Sequence, residues 1–140
     1  MAKHVLRDAQ VTINAVDLSD HVSAVTIETS RPEVDVTSMG ADYMETIPGI
    51  PDATITVTFF NDYAAGEVYA TLQPLSTTDT PFTVAIRPTT AAISATNPEM
   101  QMSSLMYTFS PLSGDIGSAN TTEVTFRNAS QTGLVYDITP

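Results

Sequence analysis

His21 is the residue best placed to do chemistry, because Asp20 directly precedes it in Val16-Asp17-Leu18-Ser19-Asp20-His21-Val22. A carboxylate beside an imidazole is the beginning of an acid–base pair. Adjacent residues on an extended chain point apart, however, so the sequence predicts a solvated or capping His21 in a turn. The other histidine, His4, lies in the N-terminal stretch. Sixteen Asp and Glu residues supply carboxylates in number, but no pair sits in a motif. Asp17 and Asp20 flank a turn, where Asp commonly bonds its own backbone. Gly114-Asp115-Ile116-Gly117 reads as a turn and lacks a calcium-loop pattern; a chance Ca²⁺ site there is the one metal alternative. Cysteine is absent, which excludes disulfides and thiolate metal sites. No Gly-rich phosphate loop, His-Glu-x-x-His or Gly-x-Ser-x-Gly occurs. The reading is a non-enzyme with no catalytic residues, no cofactor and no metal.

The elements that would position these groups are mostly strands. Val25 and Ile27 alternate with Thr26 and Glu28. Ile55, Val57 and Phe59 alternate with Thr54, Thr56 and Thr58. Phe82, Val84 and Ile86 alternate with Thr83, Ala85 and Arg87, and Val124 and Phe126 with Thr125 and Arg127. Each pattern is that of a half-buried strand with a threonine-rich outer face. Weaker candidates are 10–14, 34–37 and 134–138. Residues 100–109 read as a strand apolar on both faces, Met100, Met102 and Met106 on one side and Leu105, Tyr107 and Phe109 on the other. The methionines fill a core or form a buried subunit interface. One helix is visible: Asn61 or Asp62 can cap it, and Ala65, Val68, Leu72 and Leu75 make an apolar stripe. Pro74 limits its continuation. The sum is mainly β, an antiparallel sandwich or barrel-like domain with one flanking α-helix.

Residues 31–52 form a loop too long for a hairpin turn. Arg31-Pro32 opens it, and Ile47-Pro48-Gly49-Ile50 has Pro and Gly at the centre of a type II turn. Met39, Tyr43, Met44, Ile47 and Ile50 lie beside the turn residues Gly40, Pro48 and Gly49. A purely solvated loop has no need of that apolar content, and long loops in compact domains are commonly functional or disordered. The expectation is a contact surface by which copies of the chain bind one another. Residues 110–122 are a second irregular connection.

With 140 residues, the chain is expected to form one domain, 1–140, able to hold a core without staples. No apolar run approaches the roughly 18 residues of a membrane span. The N-terminus shows no secretory h-region, so a cytoplasmic origin is expected. Five Lys and Arg against sixteen acids give a net charge of −11. Nucleic-acid binders need basic surface to replace phosphate counterions, and acidity opposes anionic membranes, so neither is an expected tight partner. Lys3 and Arg7 lie in residues 1–9. That segment reads as an N-terminal arm whose cations would pair with a neighbour's carboxylates.

Taken in order, Val11-Thr12-Ile13-Asn14, Val16–Val22, Val25–Glu28, Val34-Asp35-Val36-Thr37-Ser38-Met39-Gly40, Ile47–Asp52 running into Ile55–Phe60, and the helix after Asn61-Asp62 resemble the tail-tube, or major tail, proteins of long-tailed bacteriophages. The resemblance covers about residues 10–138. It implies a virion protein, assembled in the host cytoplasm. Its hexameric rings would stack into a hollow tube around a tape-measure protein, joined to other tail proteins and passing DNA transiently and without specificity. It also implies that the loop near residues 38–51 bridges rings. Thr26, Glu28, Thr54, Thr56 and Thr58 would then face a lumen, offering no cation to hold a phosphate. The alternatives are another virion β-sandwich, such as a tail-completion, decoration or baseplate protein, and a receptor- or carbohydrate-binding module. The absence of Trp counts against the last.

Overall fold

The computed structural model describes residues 3–139. Its frame is one antiparallel sheet in the order β2-β1-β7-β8-β9-β6-β3. The strands are β1 (Gln10–Ile13), β2 (Val16–Asp17), β3 (Val22–Ser30), β6 (Asp52–Phe60), β7 (Phe82–Arg87), β8 (Glu99–Met106) and β9 (Thr121–Asn128). A short β10 (Val135–Asp137) pairs with β8 at Glu99–Gln101, below the point where β9 leaves β8 at Ser104. Asn14 and Ala15, at φ 49° and 68°, make the tight turn from β1 to β2, the two positive-φ positions of a type I′ hairpin.

Period-two alternation explains the sheet. Ile55, Val57 and Phe59 on β6, Val84 and Ile86 on β7, and Val124 and Phe126 on β9 all point into one buried cluster. Phe82 meets Phe126 edge to face, with ring centroids 5.9 Å apart. Val25 and Ile27 on the edge strand β3 pack on the same cluster. They also line a cavity with Leu6, Ala9, Ile86 and Met100 from the far side of the sheet. The sheet therefore coils on itself until its two ends face each other.

The helix α1 spans Val68–Leu75, and Val68, Leu72 and Leu75 join the same core. It starts later than the apolar stripe suggests. Gly66 takes φ +79°, a left-handed conformation that ends any helix begun at Asn61 or Asp62. Ala65 is left exposed before α1. Residues 100–109 also differ from expectation. Strand β8 stops at Met106, and Tyr107 is exposed. Met102 and Met106 are buried in the core, as core filling requires, whereas Met100 is half-buried and lies outside it. Among the described residues no helix is long and apolar enough to cross a membrane.

Residues 31–52, where the weak strand candidate at 34–37 overlaps the first of two strands, are not a single irregular loop. They contain β4 (Glu33–Asp35) and β5 (Thr46–Pro48), paired as a separate two-stranded sheet. The hairpin begins where the β3–β6 ladder ends, at Ser30 opposite Asp52. A short ladder held the sequence's secret, since three pairs on an exposed hairpin leave no buried face to impose alternation.

Candidate functional site

The arm made by β4 and β5 is built from local bonds. Val34 faces Ile47, and Asp35 faces Thr46. The Val36 amide then donates to the Glu45 carbonyl at 2.9 Å, and the Glu45 amide to the Thr37 hydroxyl at 2.8 Å. The Thr37 amide donates to Asp35 Oδ1 at 2.9 Å. Gly40, at φ +87°, turns the tip. Beyond these bonds the tip is bare. Met39 is fully exposed, Tyr43 is 88% exposed and Met44 is 77% exposed. No residue from Arg31 to Pro48 belongs to the core. Three large apolar side chains at the end of a bonded hairpin make an exposed apolar patch. Ile47 and Ile50 lie toward the root and are also exposed.

The root corrects a second expectation. Pro48 is in β5, and Gly49 is not among the positive-φ residues, so the Pro48-Gly49 pair is not the centre of a type II turn. Glycine serves a close approach instead. A Cβ at Gly49 would lie 2.6 Å from Pro32 Cγ, and the Gly49 amide donates to the Pro32 carbonyl at 2.7 Å. Gly49→Ala is therefore expected to push the two sides of the root apart while leaving the core intact. Limited proteolysis should then cut residues 31–50 at least tenfold faster, with the thermal midpoint nearly unchanged; equal cutting rates would refute the role of Gly49.

Thr26 and Glu28 on β3 and Thr54, Thr56 and Thr58 on β6 do come together on one outward face. The pairs Thr26–Thr56 and Glu28–Thr54 lie directly opposite. The sequence could not show that β9 completes this face. Thr56 lies opposite Thr125, Thr58 opposite Glu123 and Thr54 opposite Arg127, with Thr56 and Thr125 hydroxyls 3.4 Å apart. Arg127 corrects the expectation of a cation-free face. Its Nη2 lies 3.4 Å from Asp52 Oδ2, so its charge is shared with a carboxylate. The alternation of Val124 and Phe126 pointed to Thr125 and Arg127 as outward residues; only the ladder shows what they adjoin.

Among the described residues the edge strand β3 has β6 as its one ladder partner; no strand pairs with its other edge, though Leu6, Arg7 and Ala9 lie near Val22–Val25. Long open edges invite pairing with another chain. Lys3 and Arg7 lie in an exposed segment without regular structure, and neither forms an ion pair with a described residue. Residues 1 and 2 of the 1–9 arm lie outside the described residues. A second exposed apolar set escaped the sequence reading: Tyr107, Leu112 and Ile116 on the connection between β8 and β9. Asn120 anchors that connection. It accepts the Asn61 side-chain amide at 2.8 Å and donates to the Tyr63 hydroxyl at 2.7 Å, while that hydroxyl donates to the Pro111 carbonyl at 2.7 Å.

His21 sits in a turn, where the sequence predicts it solvated or capping, but its ring is mostly covered and held among carboxylates. It closes a 3-10 turn at Ser19–His21, and this compact backbone lets adjacent side chains converge. Its Nδ1 lies 2.8 Å from Asp20 Oδ1 and 3.4 Å from Glu67 Oε2, and its Nε2 lies 2.9 Å from Asp62 Oδ2. Burial lowers the affinity of the ring for a proton. Hydrogen bonds to Asp62 and Asp20, with the charges of Asp20 and Glu67, outweigh burial and raise the pKa above 6.5. Asp62 is held below the usual carboxylate range, first by the Ala64 amide and then by His21. Asp20, His21 and Glu67 bring donor atoms within 4.8 Å of one another. A carboxylate at each ring nitrogen favours the doubly protonated ring, and an imidazolium, unlike the neutral ring, has no lone pair to give an ion.

An open cleft of about 380 Å³ lies at the arm root between Arg31, Pro51, Asp52, Leu134 and Tyr136.

No protein-family model and no curated protein matches the chain. Solved structures do. One chain from the virion of a native gene transfer agent particle has a TM-score of 0.72 at 13% identity, over 92% of this chain and 95% of that one. Another is from the sheath/tube terminator of an extracellular contractile injection system in its extended state. It has a TM-score of 0.74 at 12% identity, over 98% of both chains. A chain from the tail of an empty gene transfer agent particle, refined with C6 symmetry, has a TM-score of 0.66 at 14% identity, over 83% and 81%. At such identities the likeness is one of fold.

Proposed function

We propose that this chain is a structural tail protein whose copies assemble into stacked, six-membered rings that form a tail tube. The observation that carries the reading is the arm: a bonded hairpin ending in bare Met39, Tyr43 and Met44. It stands on a fold shared end to end with chains of tail and tube assemblies. The reading assigns ring-to-ring contact to the arm and lateral pairing to the open edge of β3. The lumen goes to the Thr26–Thr56–Thr125 face. Sixfold symmetry is supported by the C6 refinement of one structure of the same fold. In this reading the protein is not an enzyme. Its partners are copies of itself, a tape-measure protein, other tail proteins and DNA in transit.

A second reading is favoured by the 98% mutual coverage with the terminator chain: a single ring that ends a tube. Negative-stain microscopy of the purified protein at high concentration separates the two. Extendable tubes support the first, and isolated rings that never lengthen support the second. Monomers at every concentration and salt would remove both.

A further inference from the structure

We propose that His21 is a protonation-operated clamp between two launching points of the fold. As an imidazolium it ties the turn before β3 to the connection before α1; as a neutral ring it must release one of them.

A neutral ring has too few hydrogen-bond donors for the carboxylates that surround it. Asp20, Asp62 and Glu67 are acceptors only, when ionised. A neutral imidazole has one N–H and one lone pair. If Nε2 carries the proton, Asp62 is satisfied at 2.9 Å, but the Nδ1 lone pair then faces oxygens of Asp20 and Glu67 at 2.8 and 3.4 Å. If Nδ1 carries it, the lone pair faces Asp62. Only the doubly protonated ring donates on both sides. The facing groups come from every neighbouring element: Asp20 from the ring's own turn, Asp62 from the connection after β6, and Glu67 from the residue that begins α1. Among the described residues none of the three carboxylates has another ion-pair partner. Losing the proton therefore leaves three like charges around a mostly buried ring; Asp20 is well exposed and partly screened by solvent, while Asp62 and Glu67 are about two-thirds covered.

What the clamp holds is specific. Val22, the next residue, opens β3, and the β3–β6 register shifts between Val22 and Ala24. Across the clamp, the Asp62 carbonyl accepts the Tyr69 amide, and its carboxylate accepts the Ala64 amide. An irregular strand start is thus tied to an irregular helix start by one ring. The native pKa of His21 lies above its unfolded value, so the clamp's stabilisation is complete below about pH 6.5 and is lost as pH rises through the raised native value. Loosening reaches the open edge strand first.

The inference concerns the isolated subunit and does not depend on tube formation. It is tested by following the imidazole ring signals in NMR, with His4 the only other histidine, and the thermal midpoint, from pH 5.5 to 8.5. The variants are His21→Gln, Asp62→Asn and Glu67→Gln. The wild type is expected to titrate His21 above 6.5 and to lose about 3–5 °C between pH 6 and pH 8.5. Asp62→Asn and Glu67→Gln should each lower the titration midpoint, and His21→Gln should flatten the thermal profile over this range. Faster amide exchange at residues 20–24 than the intrinsic rise with pH accounts for should accompany the wild-type loss. A His21 midpoint at or below 6.5 would overturn the clamp. So would a His21→Gln protein that keeps the wild-type pH profile, or a midpoint that moves on adding micromolar Zn²⁺ or a chelator. Should His21→Gln fail to fold, the milder Glu67→Gln still decides the matter through the ring titration.

Discussion

Replacing residues 37–44 by Asn-Gly is expected to give a folded subunit that makes no tubes. The replacement closes the arm just above the Val36–Glu45 bond with a two-residue turn of favoured type. It removes Met39, Tyr43 and Met44, all of them exposed and none in the core. The thermal midpoint should therefore stay within about 3 °C of wild type, since surface changes of this kind alter stability little. The loss should appear in assembly. Each large apolar side chain withdrawn from a contact forfeits about 1.5–3 kcal/mol, and three are withdrawn from every copy. Sedimentation and electron microscopy at the concentration where wild-type tubes form provide the measurement. Long tubes from the shortened protein would show that the arm is not the joint.

A second large effect is expected from placing lysines on the β3–β6–β9 face. In Glu28→Lys with Thr56→Lys, each copy loses one carboxylate and gains two cations on a face whose present cation, Arg127, is shared with Asp52. Both positions lie in the middle of regular ladders with their side chains outward, so folding and tube formation should persist. Short duplex DNA should then be retained by purified tubes at low salt at least tenfold more than by wild-type tubes. Salt should release it, as counterion exchange requires. Retained DNA that resists nuclease lies inside the tube; retained DNA that is digested would place this face on the outside. Retention no greater than wild type would remove the face from the bore.

Much of the sheet was legible because burial on one side imposes period-two alternation. Ile55–Phe59, Phe82–Ile86 and Val124–Phe126 could be read directly, as could the fact that Thr54, Thr56 and Thr58 point the other way. Pairing between distant strands leaves no such mark. Nothing in residues 121–128 tells that Arg127 lies opposite Thr54, so the mixed charge of the face emerged only with the ladder. The arm was only half legible, 34–37 being the one strand candidate read there, for the opposite reason. Its two strands are exposed on both sides, and the signal that survived was the unexplained presence of Met39, Tyr43 and Met44. His21 was misread because the argument assumed an extended backbone at Asp20-His21, where a 3-10 turn brings the side chains together. The late helix start followed from Gly66, whose cost to a helix was visible while its left-handed conformation was not.

The attachment of the arm to the ends of β3 and β6, through Arg31-Pro32 on one side and Gly49-Ile50-Pro51 on the other, has a mechanical consequence. A pull on the arm tip draws both strands along their own axes and passes the load to β9 through the run of pairs from Thr54–Arg127 to Phe60–Thr121. Backbone bonds crossing perpendicular to the strands are then strained together rather than unzipped singly. Once the short connections at Arg31-Pro32 and Gly49–Pro51 are drawn taut, tension meets the whole ladder in shear, and an entire strand must slide before the sheet yields.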